Sequence, residues 1–146
     1  MPRIPRAIID EMIAHAQDDL PNEGCGQLNA HDGVPVTAHR VTNVEASPYR
    51  YSMDPLQMLK LERAREDSGE TLFSIYHSHV ASEAYPSPTD VRQAFFPPGE
   101  IERDPMYSDT FYILVSLAYD PPHVRAFHIR TGGEIEEEPI EIEESA

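Results

Sequence analysis

The chain has 146 residues, the size of one domain, and its single cysteine, Cys25, allows neither an internal disulfide nor a four-cysteine zinc site. It carries 26 acidic against 11 basic residues, and the net charge of -15 opposes binding to nucleic acid or to anionic lipid. Its longest apolar run, at 111–119, is too short to cross a membrane and no signal-peptide core is present, which predicts a cytoplasmic protein.

The first half of the chain predicts two helices and two short strands. Residues 5–20 place apolar side chains at helical spacing, which indicates an amphipathic helix. Strands are expected at 24–30 and 34–44, and a second helix begins after the cap residue Asp54 and ends at Gly69. The side chains expected to face the core are Ile8, Ile9, Met12, Ile13, Ala16 and Leu20 in the first helix, and Leu56, Leu59 and Leu61 in the second.

The middle of the chain predicts a buried strand and a short helix. Residues 71–79, TLFSIYHSH, are aromatic and β-branched, which is typical of a buried strand. Ser87 is expected to open a third helix that must end before Pro97, because proline interrupts helical hydrogen bonding. A long surface loop rich in turn residues is expected at 96–110.

Two strands and an acidic segment complete the prediction. The strands are expected at 111–119 and 124–130. In the acidic segment 134–144, Ile140 and Ile142 alternate with glutamates, which favours an edge strand over a disordered tail.

The predicted architecture is α/β, with a mixed β-sheet flanked by two to three helices in a single domain over residues 1–146. Strands and helices do not alternate regularly, and no glycine-rich phosphate loop is present. Both observations speak against a doubly wound nucleotide-binding sheet. The acidic excess leads to the further hypothesis of a salt-rich native environment, because salt screens the repulsion between like charges.

Residues 77–90 place three potential metal ligands close together. Side chains two apart in a strand point to the same face, so His77 and His79 should project together while Ser78 faces away. Asp90 should lie in the first turn of the third helix, three residues after Ser87. Two histidines and a carboxylate form a donor set that catalytic zinc uses while leaving a fourth position for water.

Simpler interpretations of the same residues remain open at this point. The two histidines could be incidental to a strand, and Ser87 with Asp90 could form only a capping box. Hydrolysis would also require a base to carry the proton of the attacking water. Glu23, in a turn between the first helix and the first strand, is a candidate, although 26 acidic residues make this choice weak from the residues alone.

The order of these residues resembles the signature of the JAMM (MPN-plus) metalloprotease family. Glu23 is followed by His77-x-His79, then after seven residues by Ser87, and after two more by Asp90. The resemblance implies a cytidine-deaminase-like mixed sheet and a zinc ion bound by the two histidines and the aspartate. It also implies that Glu23 is the general acid and base, and that Ser87 stabilises the tetrahedral intermediate.

The segments YHSH, EAYPS and TDV resemble bacterial single-domain members of that family. The resemblance implies cleavage after the C-terminal Gly-Gly of a ubiquitin-like or sulfur-carrier protein, with cysteine as a released group. The loop at 96–110 departs from the compact bacterial members by its length, which leaves substrate selection open.

Three other function classes compete with this interpretation. A non-catalytic MPN-type binding module would typically lack the ligands, and a non-haem iron oxygenase uses the same two histidines and carboxylate. A zinc deaminase is disfavoured because its HxE and CxxC signals are absent from the sequence.

Several remaining residues have packing as their favoured role. We expect Cys25 to be a small buried side chain and not a nucleophile. For the aromatic residues Tyr85, Phe95 and Phe96, packing is favoured over lining a groove. The histidines expected at the surface or in packing are His15, His31, His39, His123 and His128.

Overall fold

A computed structural model describes residues 1–144, in which eight strands and three α-helices follow one another. The strands are β1 (Arg3–Pro5), β2 (Cys25–His31), β3 (Val34–Val41), β4 (Thr71–His79), β5 (Phe111–Ser116), β6 (His123–Arg130), β7 (Glu134–Glu138) and β8 (Glu141–Glu143). The helices are α1 (Arg6–Asp18), α2 (Pro55–Ser68) and α3 (Pro88–Gln93). No helix within 1–144 is long and apolar enough to span a membrane.

Six strands form one mixed sheet in the order β3-β2-β4-β5-β6-β7. The central strands β4 and β5 are parallel, and the other neighbours are antiparallel. The pairing of β2 with β4 sets Cys25 opposite His77, which brings the start of β2 to the histidine-bearing end of β4. This architecture confirms the predicted mixed sheet with flanking helices.

The two faces of the sheet carry separate cores because neighbouring side chains of a strand alternate between faces. Helix α1 covers one face, and α3 with the following residues covers the other, where the two histidines of β4 also lie. The α1 core contains Ile4, Ile8, Ile9, Met12, Ala16, Leu28, Tyr76, Ile113, Val115 and Ala126. The opposite core contains Cys25, Val41, Met53, Ile75, Ala94, Phe95, Tyr112 and Ile129.

Helix α2 has the predicted ends but not the predicted buried face. The Asp54 carboxylate caps its start, accepting from Leu56 N–H at 2.9 Å, and Gly69 ends it with a φ of 76°. The expectation that Leu56 and Leu59 face the core is wrong, since they are 59% and 42% exposed. Leu61 does pack against the core as expected.

The side of α2 that faces the sheet carries both apolar and polar contacts. Met58 and Leu61 pack against the core. Arg65 reaches across to β2, where its guanidinium donates to the buried Gln27 Oε1 at 2.7 Å and to Asn29 Oδ1 at 3.3 Å. In α1 the other expected contacts hold, but Leu20 is 47% exposed because the helix ends at Asp18.

The two ends of the described chain pair with each other, which the sequence did not predict. Strand β1 lies parallel to β8, with Ile4 opposite Ile142. The predicted edge strand is confirmed for β7 on the six-stranded sheet, but it ends before Pro139, so Ile142 belongs to the separate small sheet. Ile140 packs against the α1 core, whereas Ile142 remains 37% exposed.

The predicted long loop at 96–110 is confirmed, and two backbone hydrogen bonds connect its interior to neighbouring segments. Met106 N–H donates to Ala94 O at 2.9 Å, and Gly132 N–H donates to Ile101 O at 2.6 Å. Phe95 is fully buried, which confirms its packing role, whereas Phe96 is 70% exposed. The loop therefore packs against the domain beside α3 and does not extend freely into solvent.

Candidate metal centre

The C-terminal end of β4 and the first turn of α3 bring three potential ligand atoms together. His77 Nε2 lies 3.3 Å from His79 Nε2, and the two nitrogens lie 3.1 and 3.2 Å from Asp90 Oδ2. Within residues 1–144 this is the one group of three or more histidine, cysteine or acidic side chains that could hold a metal ion. All three side chains are largely withdrawn from solvent.

The triangle of donor atoms fits one divalent metal ion. Ligands bound tetrahedrally at about 2.0–2.1 Å lie roughly 3.3 Å from one another, close to the spacing found here. Two imidazole nitrogens and one carboxylate oxygen are also a donor set that zinc and iron(II) accept. The predicted residues His77, His79 and Asp90 thus form a group that could hold a metal ion.

Hydrogen bonds outside the triangle orient His79. Its Nδ1–H donates to Glu83 O at 2.7 Å, which leaves Nε2 as the atom with a free lone pair. Burial alone lowers the pKa of His79, but the hydrogen bonds to Asp90 and Glu83 outweigh it and raise the pKa above its ordinary value. Protons therefore compete with a metal ion for this nitrogen.

Asp90 remains ionised in spite of its burial. Its Oδ2 accepts from Ser87 N–H at 2.9 Å and faces both imidazoles. Burial raises the pKa of the Asp90 carboxyl, but His77, His79 and the Ser87 amide outweigh this effect and hold it well below its usual range. A buried carboxylate of this kind is available to a cation at every physiological pH.

Glu23 lies in the turn between α1 and β2, and its backbone is held from three sides. Its N–H donates to Ser47 O at 2.9 Å, and its carbonyl accepts from Asn43 Nδ2 at 3.0 Å. The next residue, Gly24, donates its N–H to Ser78 Oγ at 2.8 Å and accepts from Ser78 N–H at 2.9 Å. Ser78, on the opposite face of β4 from the histidines, thus connects this turn to the ligand strand.

The Glu23 carboxyl is 3% exposed, and its Oε1 has no hydrogen-bond partner among the described residues. Burial raises the pKa of Glu23 to about 8, against the opposing effect of His79. A buried carboxyl with a pKa near neutrality has the property that general acid–base catalysis requires.

One cavity of about 300 Å³ connects these groups, with Glu23, His79 and Ser87 in its wall. Pro48 and the 87% exposed Tyr49 form part of its rim. Three of the five residues predicted from the sequence therefore line one cavity: Glu23, His79 and Ser87. His79 connects it to the other two, since its Nε2 lies 3.3 Å from His77 Nε2 and 3.2 Å from Asp90 Oδ2.

Two single residues for which packing was expected are both buried. Cys25 is fully buried and unpaired, and burial raises the pKa of its thiol to about 12, which confirms the packing role and opposes a role as nucleophile. His15 was expected at the surface or in packing, and its burial confirms packing. It is 2% exposed, and its ring nitrogens lie 2.7 Å from Tyr76 Oη and 2.9 Å from Asp19 Oδ2.

Sequence reasoning missed three residues that surround the site. Asn43 and Ser78 hold the Glu23 turn, and Tyr51 stacks on the His77 ring at a centroid distance of 4.3 Å. Only Asn43 carried a signal in the sequence, since asparagine in a turn commonly bonds to nearby backbone.

A mixed sheet whose strand and helix ends present a His-His-Asp group defines a JAB-type metal-site domain. Residues 5–130 match the family described as prokaryotic homologs of the JAB domain, and the chain belongs to this family. The match confirms the resemblance to the JAMM family.

Relatives of the chain include named peptidases. The CysO-cysteine peptidase of Mycobacterium tuberculosis is 39% identical over 140 residues, covering 94% of this chain and 88% of that protein. A probable TtuB-protein conjugate cleaving protease of Thermus thermophilus is 38% identical over 92 residues, covering 62% of each. The solution structure of DSY2949 from Desulfitobacterium hafniense has a TM-score of 0.82 at 31% identity, covering 99% of this chain and 94% of that one. These matches confirm the prediction of a hydrolase.

Proposed function

We propose that this protein is a zinc-dependent peptidase or isopeptidase that cleaves after the C-terminal glycine of a ubiquitin-like or sulfur-carrier protein conjugate. The observation that carries the proposal is the group of His77, His79 and Asp90 beside a cavity that His79 lines together with Glu23 and Ser87. The near full-length similarity to a peptidase named for a CysO-cysteine conjugate supports the same substrate class.

The ligand residues would hold the metal, and when bound it supplies a Lewis acid that polarises a carbonyl and acidifies water. Glu23 accepts the proton of the attacking water and delivers it to the leaving amine. Its burial suits this exchange, because a carboxyl with a pKa of about 8 both takes up and releases a proton near neutral pH.

Ser87 is in place to donate a hydrogen bond to the carbonyl oxygen of the scissile bond. Its Oγ accepts from Asp90 N–H at 3.1 Å, so the hydroxyl proton is not engaged in the cap. The hydroxyl lines the same cavity as Glu23. A donor aimed at the developing negative charge stabilises the transition state more than the ground state.

The size of the opening suits an extended glycine-ended tail as substrate. A cavity of about 300 Å³ between Tyr49 and Ser87 admits a narrow backbone but not a folded surface. Glycine residues next to the scissile bond allow the close approach that this opening demands. The name of the Mycobacterium tuberculosis relative, CysO-cysteine peptidase, supports cysteine as the leaving group. The Thermus thermophilus relative is instead named for protein conjugates.

The proposal also includes zinc as the metal, action as a single domain, and a cytoplasmic location. Zinc is supported by the donor set and its spacing, and a reducing compartment is compatible with the free Cys25 thiol. Iron(II) is the alternative metal for the same ligands. Elemental analysis of the purified protein distinguishes the two metals.

The test uses two matched substrates, a sulfur-carrier protein ending in Gly-Gly-Cys and the same protein linked through an isopeptide bond to a lysine peptide. Mass spectrometry should show release of the carrier ending in Gly-Gly by wild-type protein but not by Glu23→Gln. A chelator should stop the reaction, and added zinc should restore it. Binding of either conjugate without cleavage, under conditions where zinc is bound, would instead support the non-catalytic module.

A further inference from the structure

The two histidines at the end of β4 are held in different ways. His79 has its Nδ1–H bonded to Glu83 O, whereas His77 Nδ1 is buried and has no hydrogen-bond partner within residues 1–144. A metal-binding histidine usually has its second nitrogen fixed by a hydrogen bond, which sets the direction of the ring. Some other contact must therefore orient His77.

Tyr51 provides the contact that replaces this hydrogen bond. Its ring stacks on the His77 imidazole with centroids 4.3 Å apart and an angle of 25° between the planes. Packing face to face restricts rotation of the imidazole about its Cβ–Cγ bond, since turning the ring would drive its edge into the phenol. The stack leaves Nε2 directed at Asp90, 3.1 Å away.

The segment that carries Tyr51 is itself braced by the side chain of Asn43. The Asn43 Nδ2 group donates to Arg50 O at 3.1 Å, and Asn43 Oδ1 accepts from the Glu45 and Ser52 N–H groups at 3.0 Å each. Val44 N–H also donates to Ser52 O at 2.9 Å. These bonds fix the backbone on both sides of Tyr51.

The same asparagine connects the segment to the proposed catalytic base. Its Nδ2 group also donates to Glu23 O at 3.0 Å, so one amide holds both the turn of the base and the segment of Tyr51. His77 is thereby positioned relative to Glu23 through the chain of contacts from Tyr51 to Asn43.

We propose that Tyr51 is the positioning residue of His77: its ring, stacked on the imidazole and braced through Asn43, holds Nε2 in the direction required for metal binding. The inference rests on the proposed metal site. In this inference the Tyr51 ring orients His77, as the Glu83 carbonyl orients His79. Its chemical requirement is a flat ring at position 51, and the phenol hydroxyl is not needed.

The experiment compares Tyr51→Leu, which removes the ring, with Tyr51→Phe, which keeps it, and with Tyr49→Leu at the exposed tyrosine of the same segment. The readout is zinc affinity, measured by competition with a chromophoric chelator, beside the melting temperature of each metal-free protein. Loss of an orienting partner weakens metal binding about 10- to 100-fold. We expect a weakening of at least about tenfold for Tyr51→Leu, and no more than about twofold for the other two variants.

Each outcome decides the inference. Equal zinc affinity in Tyr51→Leu and wild type overturns it while leaving the proposed function intact, and equal weakening in Tyr51→Phe also overturns it. A wild-type protein that binds no zinc overturns both. If Tyr51→Leu does not fold, the nuclear Overhauser contacts between the two rings in zinc-loaded wild type decide: their presence supports the stack, and their absence refutes it.

Discussion

Ser87 and Asp90 bond to each other reciprocally across the first turn of α3. Ser87 Oγ accepts from Asp90 N–H at 3.1 Å, and Asp90 Oδ2 accepts from Ser87 N–H at 2.9 Å, which makes a capping box. The same Asp90 oxygen faces His77 and His79. The capping and metal-binding interpretations of these residues are therefore compatible, because one arrangement serves both.

Substitution at Asp90 separates these two roles. Asp90→Asn retains an oxygen for the cap but loses the carboxylate charge, so the variant should no longer bind stoichiometric zinc. Asp90→Ala loses the cap as well, so its free energy of unfolding should be about 1 kcal/mol lower than that of Asp90→Asn. Urea unfolding of the metal-free proteins and elemental analysis measure the two effects. Full zinc occupancy in Asp90→Asn would show that Asp90 is not a ligand.

Substitution at Ser87 tests the proposed hydrogen bond to the scissile carbonyl. Ser87→Ala should lower kcat about 10²- to 10³-fold with zinc content unchanged, since one donor to the transition state is lost. Its free energy of unfolding should fall by about 1 kcal/mol through loss of the cap. Ser87→Thr keeps the hydroxyl and serves as the control. If Ser87→Ala retains the wild-type kcat, Ser87 serves only as the helix cap and does not take part in catalysis.

The buried Glu23 carboxyl should make the stability of the metal-free protein depend on pH. Because burial raises its pKa to about 8, the folded state holds a proton that the unfolded state releases at lower pH. This contribution to stability is full below the unfolded pKa and is lost as pH rises through about 8, with a slope of at most about 1.4 kcal/mol per pH unit. Denaturant unfolding of wild type and Glu23→Gln between acidic and alkaline pH measures the difference. The two proteins should diverge over this interval, and parallel pH profiles would refute the buried titration.

The net charge of -15 should make the protein more stable in salt. Screening by molar KCl reduces the repulsion among 26 acidic side chains, so the melting temperature should rise. Sucrose at equal osmolality controls for general exclusion of solute from the surface. An unchanged melting temperature in KCl would remove the basis for a salt-rich native environment.

Local patterns in the sequence predicted that His77, His79 and Asp90 lie close together, which the structure bears out. The spacing of His77 and His79 puts both on one face of a strand, and Ser87 with Asp90 marks a helix start. The strand and the helix that follows it are joined by a short connection, so their residues meet without any long-range pairing. The choice of Glu23 relied on the family resemblance. Glu23 comes close to the histidines only through the pairing of β2 with β4, which the spacing of residues in the sequence does not reveal.

Contacts between distant segments were the part that the sequence could not predict. The inward face of α2 was predicted from apolar spacing alone, but Leu56 and Leu59 are exposed. Arg65 of the same helix bonds to Gln27 on β2, a contact that apolar spacing does not register. The pairing of β1 with β8 joins residues more than a hundred positions apart, and three-residue strands carry almost no periodic signal. The stack of Tyr51 on His77 likewise has no signature in either segment.

The zinc content of the protein purified without chelator tests the central claim most directly. Elemental analysis should find one zinc per wild-type chain and none in His77→Ala, while Glu23→Gln, which retains all three ligands, should match the wild type. A wild-type protein without stoichiometric zinc, or a His77→Ala protein that retains it, would contradict the account.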